Sequence, residues 1–257
     1  MRQSTDYASP SPATRPAFFF TIDFDGTISQ ADVTDAVIKK FARDGWQEAE
    51  FLWERGEIGS QECLARQMSL IDAPLAHVIE YAAGQPIDPT FSDFLGLLNG
   101  YGLPYAIISD GFTPIIEGIF VQAGFKDIPV YASGLNESKG GLRTTFPNGN
   151  ASCLAGTCKC KTAELLARGL PIVHIGDGRS DFCLAQKADH VFCRGKLTDF
   201  CLGKEITHTP FADFSEITSV VQAVLEQHDI FLAHDRNPLS QQDGHRRALP
   251  AFQPSVP

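Results

Sequence analysis

The sequence predicts an α/β fold: a doubly wound, mostly parallel sheet with a small helical cap inserted after the first strand. Two observations carry this expectation. From residue 91 onward, short apolar runs ending in turn residues alternate with stretches of helical spacing, the pattern of a parallel sheet covered on both faces. Between the first such run and the second, residues 30–86 show helical spacing alone, which reads as an insertion.

Taken in order, residues 1–16 are rich in Ser, Pro, Ala and Thr and are expected to form a disordered arm. Ala17-Phe18-Phe19-Phe20-Thr21-Ile22 is short, aromatic and followed by a turn, so it reads as a buried strand. Residues 32–43 place Val33, Ala36, Val37 and Phe41 on one helical face. Residues 46–53, 60–71 and 74–83 read as further helices, with Ser60 as a candidate cap. The chain is expected to return to the core near 86–91, giving a core of 17–29 and 87–233.

Within that core the spacing predicts helices over 91–98, 114–123, 161–168, 182–187 and 217–227. It predicts strands over 105–109, 129–131, 172–175 and 190–192, and an edge strand over 142–146 with Pro147-Asn148-Gly149 as its turn. From 234 the chain turns polar and Pro-containing, and a poorly ordered tail is expected to residue 257.

The composition, 43% hydrophobic and 20% charged over 257 residues, is that of a soluble globular chain able to bury a core. A net charge of −10 argues against a nucleic-acid partner, which needs a basic surface, but allows a small phosphorylated metabolite held by local cations. No apolar run is long enough for a membrane span or a signal peptide, so a cytoplasmic protein with no membrane partner is expected. Seven cysteines, an odd count, are read as free thiols. A zinc site on Cys153, Cys158 and Cys160 lacks a partner pair, and Cys183, Cys193 and Cys201 fall in or near helix and strand patterns.

Four stretches carry chemistry. The first is Asp23-Phe24-Asp25-Gly26-Thr27, directly after the first strand. Two carboxylates spaced by two residues project to the same side. At the carboxyl edge of an open sheet they share one pocket, where a cation or a shared proton must relieve their repulsion. The second is Ser109-Asp110-Gly111, ending the run Tyr105-Ala106-Ile107-Ile108, where a hydroxyl and the N–H groups of Asp110 and Gly111 can donate to an anion. The third is Cys158-Lys159-Cys160-Lys161 before Thr162-Ala163-Glu164-Leu165-Leu166. The fourth is Gly176-Asp177-Gly178-Arg179-Ser180-Asp181 after the strand Ile172-Val173-His174-Ile175.

Acid pair, hydroxyl, lysine and acid pair, in that order on strand–helix units, resemble the haloacid dehalogenase superfamily of phosphotransferases over residues 18–226. The resemblance implies that Asp23 attacks phosphorus to form an aspartyl-phosphate and that Asp25 protonates the leaving alcohol and then activates water. It implies that Ser109, the N–H groups of Asp110 and Gly111, and a lysine hold the phosphoryl group. Lys161 directly precedes the helical run, where the superfamily's lysine stands in the first turn, so it is preferred; Lys159 is the alternative. Asp23, the Asp25 carbonyl and Asp177 form a hard oxygen set suited to Mg²⁺, with Asp181 orienting metal-bound water.

A helical cap at this position implies a small phosphate ester. Asp32-Val33-Thr34-Asp35, Trp53-Glu54-Arg55-Gly56-Glu57-Ile58-Gly59-Ser60, Arg66-Gln67-Met68, Gly178-Arg179-Ser180-Asp181 and Phe192-Cys193-Arg194-Gly195-Lys196-Leu197 look closest to phosphatases of methionine salvage. Phosphoserine phosphatases share the cap type. Arg55, Ser60, Arg66 and Gln67 either face the cleft or form a solvated helix face, whereas Trp46, Trp53, His77, His174 and His190 are read as structural. Phosphoryl transfer to an alcohol and a non-catalytic binding role are the alternatives to hydrolysis. Carbon–halogen hydrolysis is disfavoured by the second acid, Asp25.

Overall fold

The computed structural model describes residues 18–235, with side-chain packing given through residue 227. The expected arm at 1–16, and all but the first two residues of the tail expected from 234, lie outside the described residues.

Strand β1 (Phe19–Ile22) is followed by four helices: α1 (Val33–Phe41), α2 (Trp46–Glu54), α3 (Ser60–Ser69) and α4 (Leu75–Ala83). The chain re-enters beside its exit. Gln30 N–H donates to Pro86 O at 3.0 Å and Asp88 N–H to Ile28 O at 2.8 Å, so a short antiparallel neck joins the two passages. There follow α5 (Phe91–Tyr101), β2 (Tyr105–Phe112), α6 (Thr113–Gln122) and the antiparallel hairpin of β3 (Val130–Ser138) and β4 (Gly141–Thr145). The last stretch contains α7 (Lys159–Ala167), β5 (Ile172–Gly176), a 3-10 turn at Arg179–Asp181, α8 (Phe182–Ala185), β6 (His190–Cys193), α9 (Gly195–Gly203), β7 (His208–Pro210) and α10 (Phe214–Asp235).

The sheet order is β4-β3-β2-β1-β5-β6-β7, parallel except for β4. β1 lies between β2 and β5, so strand order reverses there, the place where open α/β sheets form a crevice beyond their carboxyl ends. Side-chain alternation builds both layers. Phe20, Ile22, Ile107, Val173, Ile175 and Phe192 face one apolar cluster with α5, α6 and α10. Phe19, Ala106 and Ile108 face the other, against Cys160, Ala163 and Ala167 of α7.

Two local expectations are corrected, and two elements appear that the sequence did not announce. Ser60 does not cap α3: Gly59 stands at the cap position with no side-chain bond, and the Ser60 hydroxyl is used elsewhere. β3 runs on to Ser138, past the apolar segment that predicted it, because its second half pairs with β4 as a largely exposed, polar ribbon. Helix α9 and β7 had no sequence signal, since α9 buries only Leu197 and Cys201 and β7 is three residues long.

Candidate active site

Asp23 sits one residue past β1 and is almost wholly buried; its N–H donates to Ile175 O at 2.9 Å, extending the β1–β5 ladder. Asp177 follows β5 by one residue, on the neighbouring strand. The two loops approach closely because residue 26 is glycine. Gly26 has φ of +70°, and a Cβ there would meet Asp177 Oδ2 at 2.5 Å.

The structure corrects the expectation at the lysine. Helix α7 begins at Lys159, two residues earlier than its apolar run suggested. Lys159 is 3% exposed, and its Nζ lies 2.6 Å from both Asp23 Oδ1 and Asp181 Oδ1. Lys161 is on the outer face of the same turn, exposed, 3.3 Å from Glu164 Oε2. On a helix, residues 159, 162, 163 and 166 share one side and 161, 164, 165 and 168 the other. Thr162 and Ala163 are buried, whereas Glu164, Leu165 and Arg168 are exposed, so the sheet-facing lysine is Lys159.

Asp181 is fully buried and its oxygens are occupied. Oδ1 faces Lys159 and, at 3.1 Å, His174 Nε2; Oδ2 accepts from Asp177 N–H and Gly178 N–H at 3.2 and 3.1 Å. His174 is oriented by Thr21 Oγ1, 2.9 Å from its Nδ1 across the β1–β5 register. Burial opposes ionisation of Asp181, but Lys159 and His174 outweigh it and hold the carboxyl below the usual carboxylate range. Burial would equally lower Lys159, yet Asp181 and Asp23 hold its ammonium above the ordinary lysine value. Asp23 goes the other way: burial, then the Asp181 charge, push it well above its usual value against the pull of Lys159. Asp177 is pushed up to about 6, by burial and then by Asp181.

The second acid of the pair stands on the opposite flank. Asp25 Oδ1 accepts from Val33 N–H at 2.8 Å and Oδ2 from Thr34 Oγ1 at 3.1 Å, both in the first turn of α1. Burial and the nearby Asp32 charge push its carboxyl up to about 7 despite those bonds. Strand β2 carries a register shift between Ile108 and Phe112, which aims the Ser109–Gly111 segment into this space. Gly111 N–H donates to Ser109 Oγ at 2.9 Å. A Cβ at Gly111 would lie 2.8 Å from Asp25 Oδ2 and 3.2 Å from Ser109 Oγ, so glycine keeps the acid and the hydroxyl around one opening.

The Asp110 carboxylate points away from that opening. Oδ2 accepts from Ser60 Oγ at 2.6 Å and Oδ1 from Thr157 N–H at 2.8 Å. Arg194 holds the first loop from behind, donating to Gly26 O at 2.6 and 2.8 Å and to Thr27 O at 2.9 Å. Of the cap residues weighed for the cleft, Arg55 and Arg66 pair with Glu57 and Glu62 at the surface, and Gln67 is buried, donating to Glu50. The seven cysteines are free thiols.

Asp23, Asp177 and Asp181 bring one oxygen each within 4.8 Å of one another, the one such group of potential ligands among the described residues. With Asp181 occupied by Lys159 and two loop amides, Asp23 and Asp177 carry the available oxygens. The group holds more carboxylates than cations, and Asp23 and Asp177 are both held toward their neutral forms. A hard divalent cation would resolve that imbalance on an all-oxygen set, so the residues fit Mg²⁺. Lys159, His174 and Arg194 are what sequence reasoning undervalued: helical facing identifies the first, whereas the other two depend on cross-strand and loop contacts.

The chain matches the family of haloacid dehalogenase-like hydrolases over residues 20–186. It is 29% identical over 212 residues to a 2-hydroxy-3-keto-5-methylthiopentenyl-1-phosphate phosphatase of Brevibacillus brevis, covering 80% of this chain and 95% of that one. It is 30% identical over 213 residues to the protein of the same name from Geobacillus kaustophilus, covering 78% and 93%. A solved phosphoserine phosphatase in complex with substrate aligns with a TM-score of 0.60 at 19% identity, over 78% of this chain and 96% of that one, a likeness of fold. Among the described residues no helix is long and apolar enough to cross a membrane. The chain therefore belongs to the haloacid dehalogenase-like hydrolases and is a phosphatase among them, a phosphoric monoester hydrolase.

Proposed function

We propose that the protein hydrolyses a small phosphate monoester, with Mg²⁺, through an aspartyl-phosphate on Asp23. The observation that supports this most is the buried Asp23–Lys159–Asp181 chain, which directs one Asp23 oxygen to Lys159 and leaves the other to react. Asp23 attacks phosphorus and the ester P–O bond breaks. The departing oxygen takes the proton of Asp25, whose carboxyl is pushed up to about 7 and so is available as an acid near neutrality. Water then attacks the aspartyl-phosphate, Asp25 accepts its proton, and inorganic phosphate leaves with Asp23 restored.

Ser109 donates to a phosphoryl oxygen, and the Lys159 ammonium balances charge beside Asp23. Asp23, Asp177 and the carbonyl of Asp25 are the ligands we assign to Mg²⁺, which when bound adds positive charge beside the phosphoryl oxygens. Asp181 fixes Lys159 and the loop amides of Asp177 and Gly178. The helical unit 30–86 acts as the cap that excludes water, since α1 supplies both groups that hold Asp25.

The names of the curated relatives favour a methylthio-ketopentenyl phosphate as substrate, with phosphoserine as the second choice on fold likeness. The test is phosphate release from a panel containing both esters, with and without Mg²⁺, beside Asp23→Asn. Mg²⁺-dependent release lost in the variant supports the reading, with a drop of at least about a thousandfold expected for loss of a nucleophile. Release by Asp23→Asn at the wild-type rate would overturn it.

A further inference from the structure

The cap is attached in two different ways. Its base is apolar: Val33, Val37 and Ile38 of α1 and Val78 and Ala82 of α4 lie in the same buried cluster as the core residues of α5 and α6. Its tip, the turn 55–59 between α2 and α3, is tied down by polar bonds. Ser60 Oγ donates to Asp110 Oδ2 at 2.6 Å and accepts from Gly156 N–H at 3.3 Å, while Gln61 N–H donates to Leu154 O at 3.1 Å. Arg179, on the loop after β5, donates to Trp53 O and Glu54 O at 3.4 and 3.3 Å and lies 5.3 Å over the Trp53 ring. Separating the base would expose apolar surface, but the tip can exchange its bonds for water at small net cost. Opening is therefore expected at the tip.

We propose that Asp110 is a positioning residue that latches this tip, joining cap closure to the assembly of the phosphoryl site. Its two oxygens grip two different segments. Oδ2 holds Ser60 at the start of α3, and Oδ1 holds the N–H of Thr157, two residues before Lys159. Its own backbone follows Ser109 on the bulged part of β2. One carboxylate thus connects the cap tip, the loop leading into Lys159 and the strand end that carries Ser109. When the tip lifts, Oδ2 loses its Ser60 donor, and the lysine loop loses the Ser60–Gly156 bond at the same moment. This role deepens the phosphatase reading above and rests on it for the meaning of closure.

The test uses Ser60→Ala, Ser60→Thr, Asp110→Asn and the double variant Ser60→Ala/Asp110→Asn in the full chain, with Mg²⁺. For Ser60→Ala, loss of a hydrogen bond to a charged acceptor is expected to raise KM about tenfold. With chemistry untouched, kcat should stay within about threefold. Ser60→Thr, which keeps the hydroxyl, should restore KM. Asp110→Asn should raise KM too, and the double variant should fall clearly short of the sum of the two single effects, because both act on the shared Ser60–Asp110 bond.

Hydrogen exchange on the substrate-free protein supplies a readout independent of turnover. Ser60→Ala should speed exchange in the 55–59 turn and also at the Thr157 amide, which Ser60 does not touch. An unchanged KM with unchanged exchange at Thr157, or additive effects in the double variant, would overturn the latch. Absence of turnover in the wild-type protein would count against the phosphatase reading instead, leaving the exchange result to decide the latch.

Discussion

Asp181 and Asp25 stand in one site, yet their partners come from different parts of the chain. Asp181 is held by the core: Lys159 from α7, His174 from β5, and two amides of its own loop. Asp25 is held by the cap, through Val33 N–H and Thr34 Oγ1 of α1. The first carboxyl is held below the usual range, with the Lys159 ammonium the largest influence against burial, and the second is pushed up to about 7. In the mechanism we propose, the core flank sets fixed charge beside Asp23, and the α1 flank sets the acid that changes protonation during turnover. Two carboxyl groups of one site are thus given opposite protonation by their surroundings, one as a fixed anion that holds Lys159 and one as a proton donor.

Removing the cation of the core flank is the largest way to break this contrast. Lys159→Met leaves Asp23 and Asp181 buried without their shared partner, which costs about 3–5 kcal/mol. Urea unfolding should register that loss, together with a fall in phosphate release of at least about a hundredfold. A Lys159→Met protein of unchanged stability would contradict the ion-pair account.

A smaller change sharpens the cap flank. The Thr34 hydroxyl donates to the ionised form of Asp25 and so lowers its carboxyl. Thr34→Val removes that bond, the carboxyl rises further, and the acid stays protonated to higher pH. The alkaline limb of the kcat/KM profile should then move to higher pH. A limb that stays in place, or moves to lower pH, would mean that Asp25 is not the acid it reports.

The smallest effect expected is that of Lys161→Met. This lysine is exposed and, among the described residues, pairs with Glu164, so stability should change by no more than about 0.5 kcal/mol and activity should hold. Side by side with Lys159→Met, the measurement separates two lysines that the sequence presents almost identically.

Much of this site was legible because strand and helix periods are local. Asp23, Ser109 and Asp177 could be placed from apolar runs that stop one or two residues short of them, and the helical insertion from a stretch without strand spacing. The lysine was misplaced because the start of α7 was read from its apolar residues, whereas Lys159 and Cys160 are buried ahead of that run. Counting faces rather than proximity to the apolar run would have picked out the buried lysine. Ser60 looked like a helix cap because serine before an apolar pattern usually is one; its hydroxyl instead meets Asp110, fifty residues away in sequence. His174 and Arg194 act through a cross-strand pair and a loop carbonyl, contacts fixed by register and return path, which no local spacing encodes.

If the phosphoryl group passes through Asp23, chemical trapping should catch it there. The protein would be mixed with Mg²⁺ and its best ester, quenched during turnover, and treated with borohydride, which reduces an acyl phosphate to the alcohol. The account predicts homoserine at position 23 in the digested peptide, absent when substrate is omitted. Steady phosphate release with an unmodified Asp23 peptide would contradict it and place the attack on water alone.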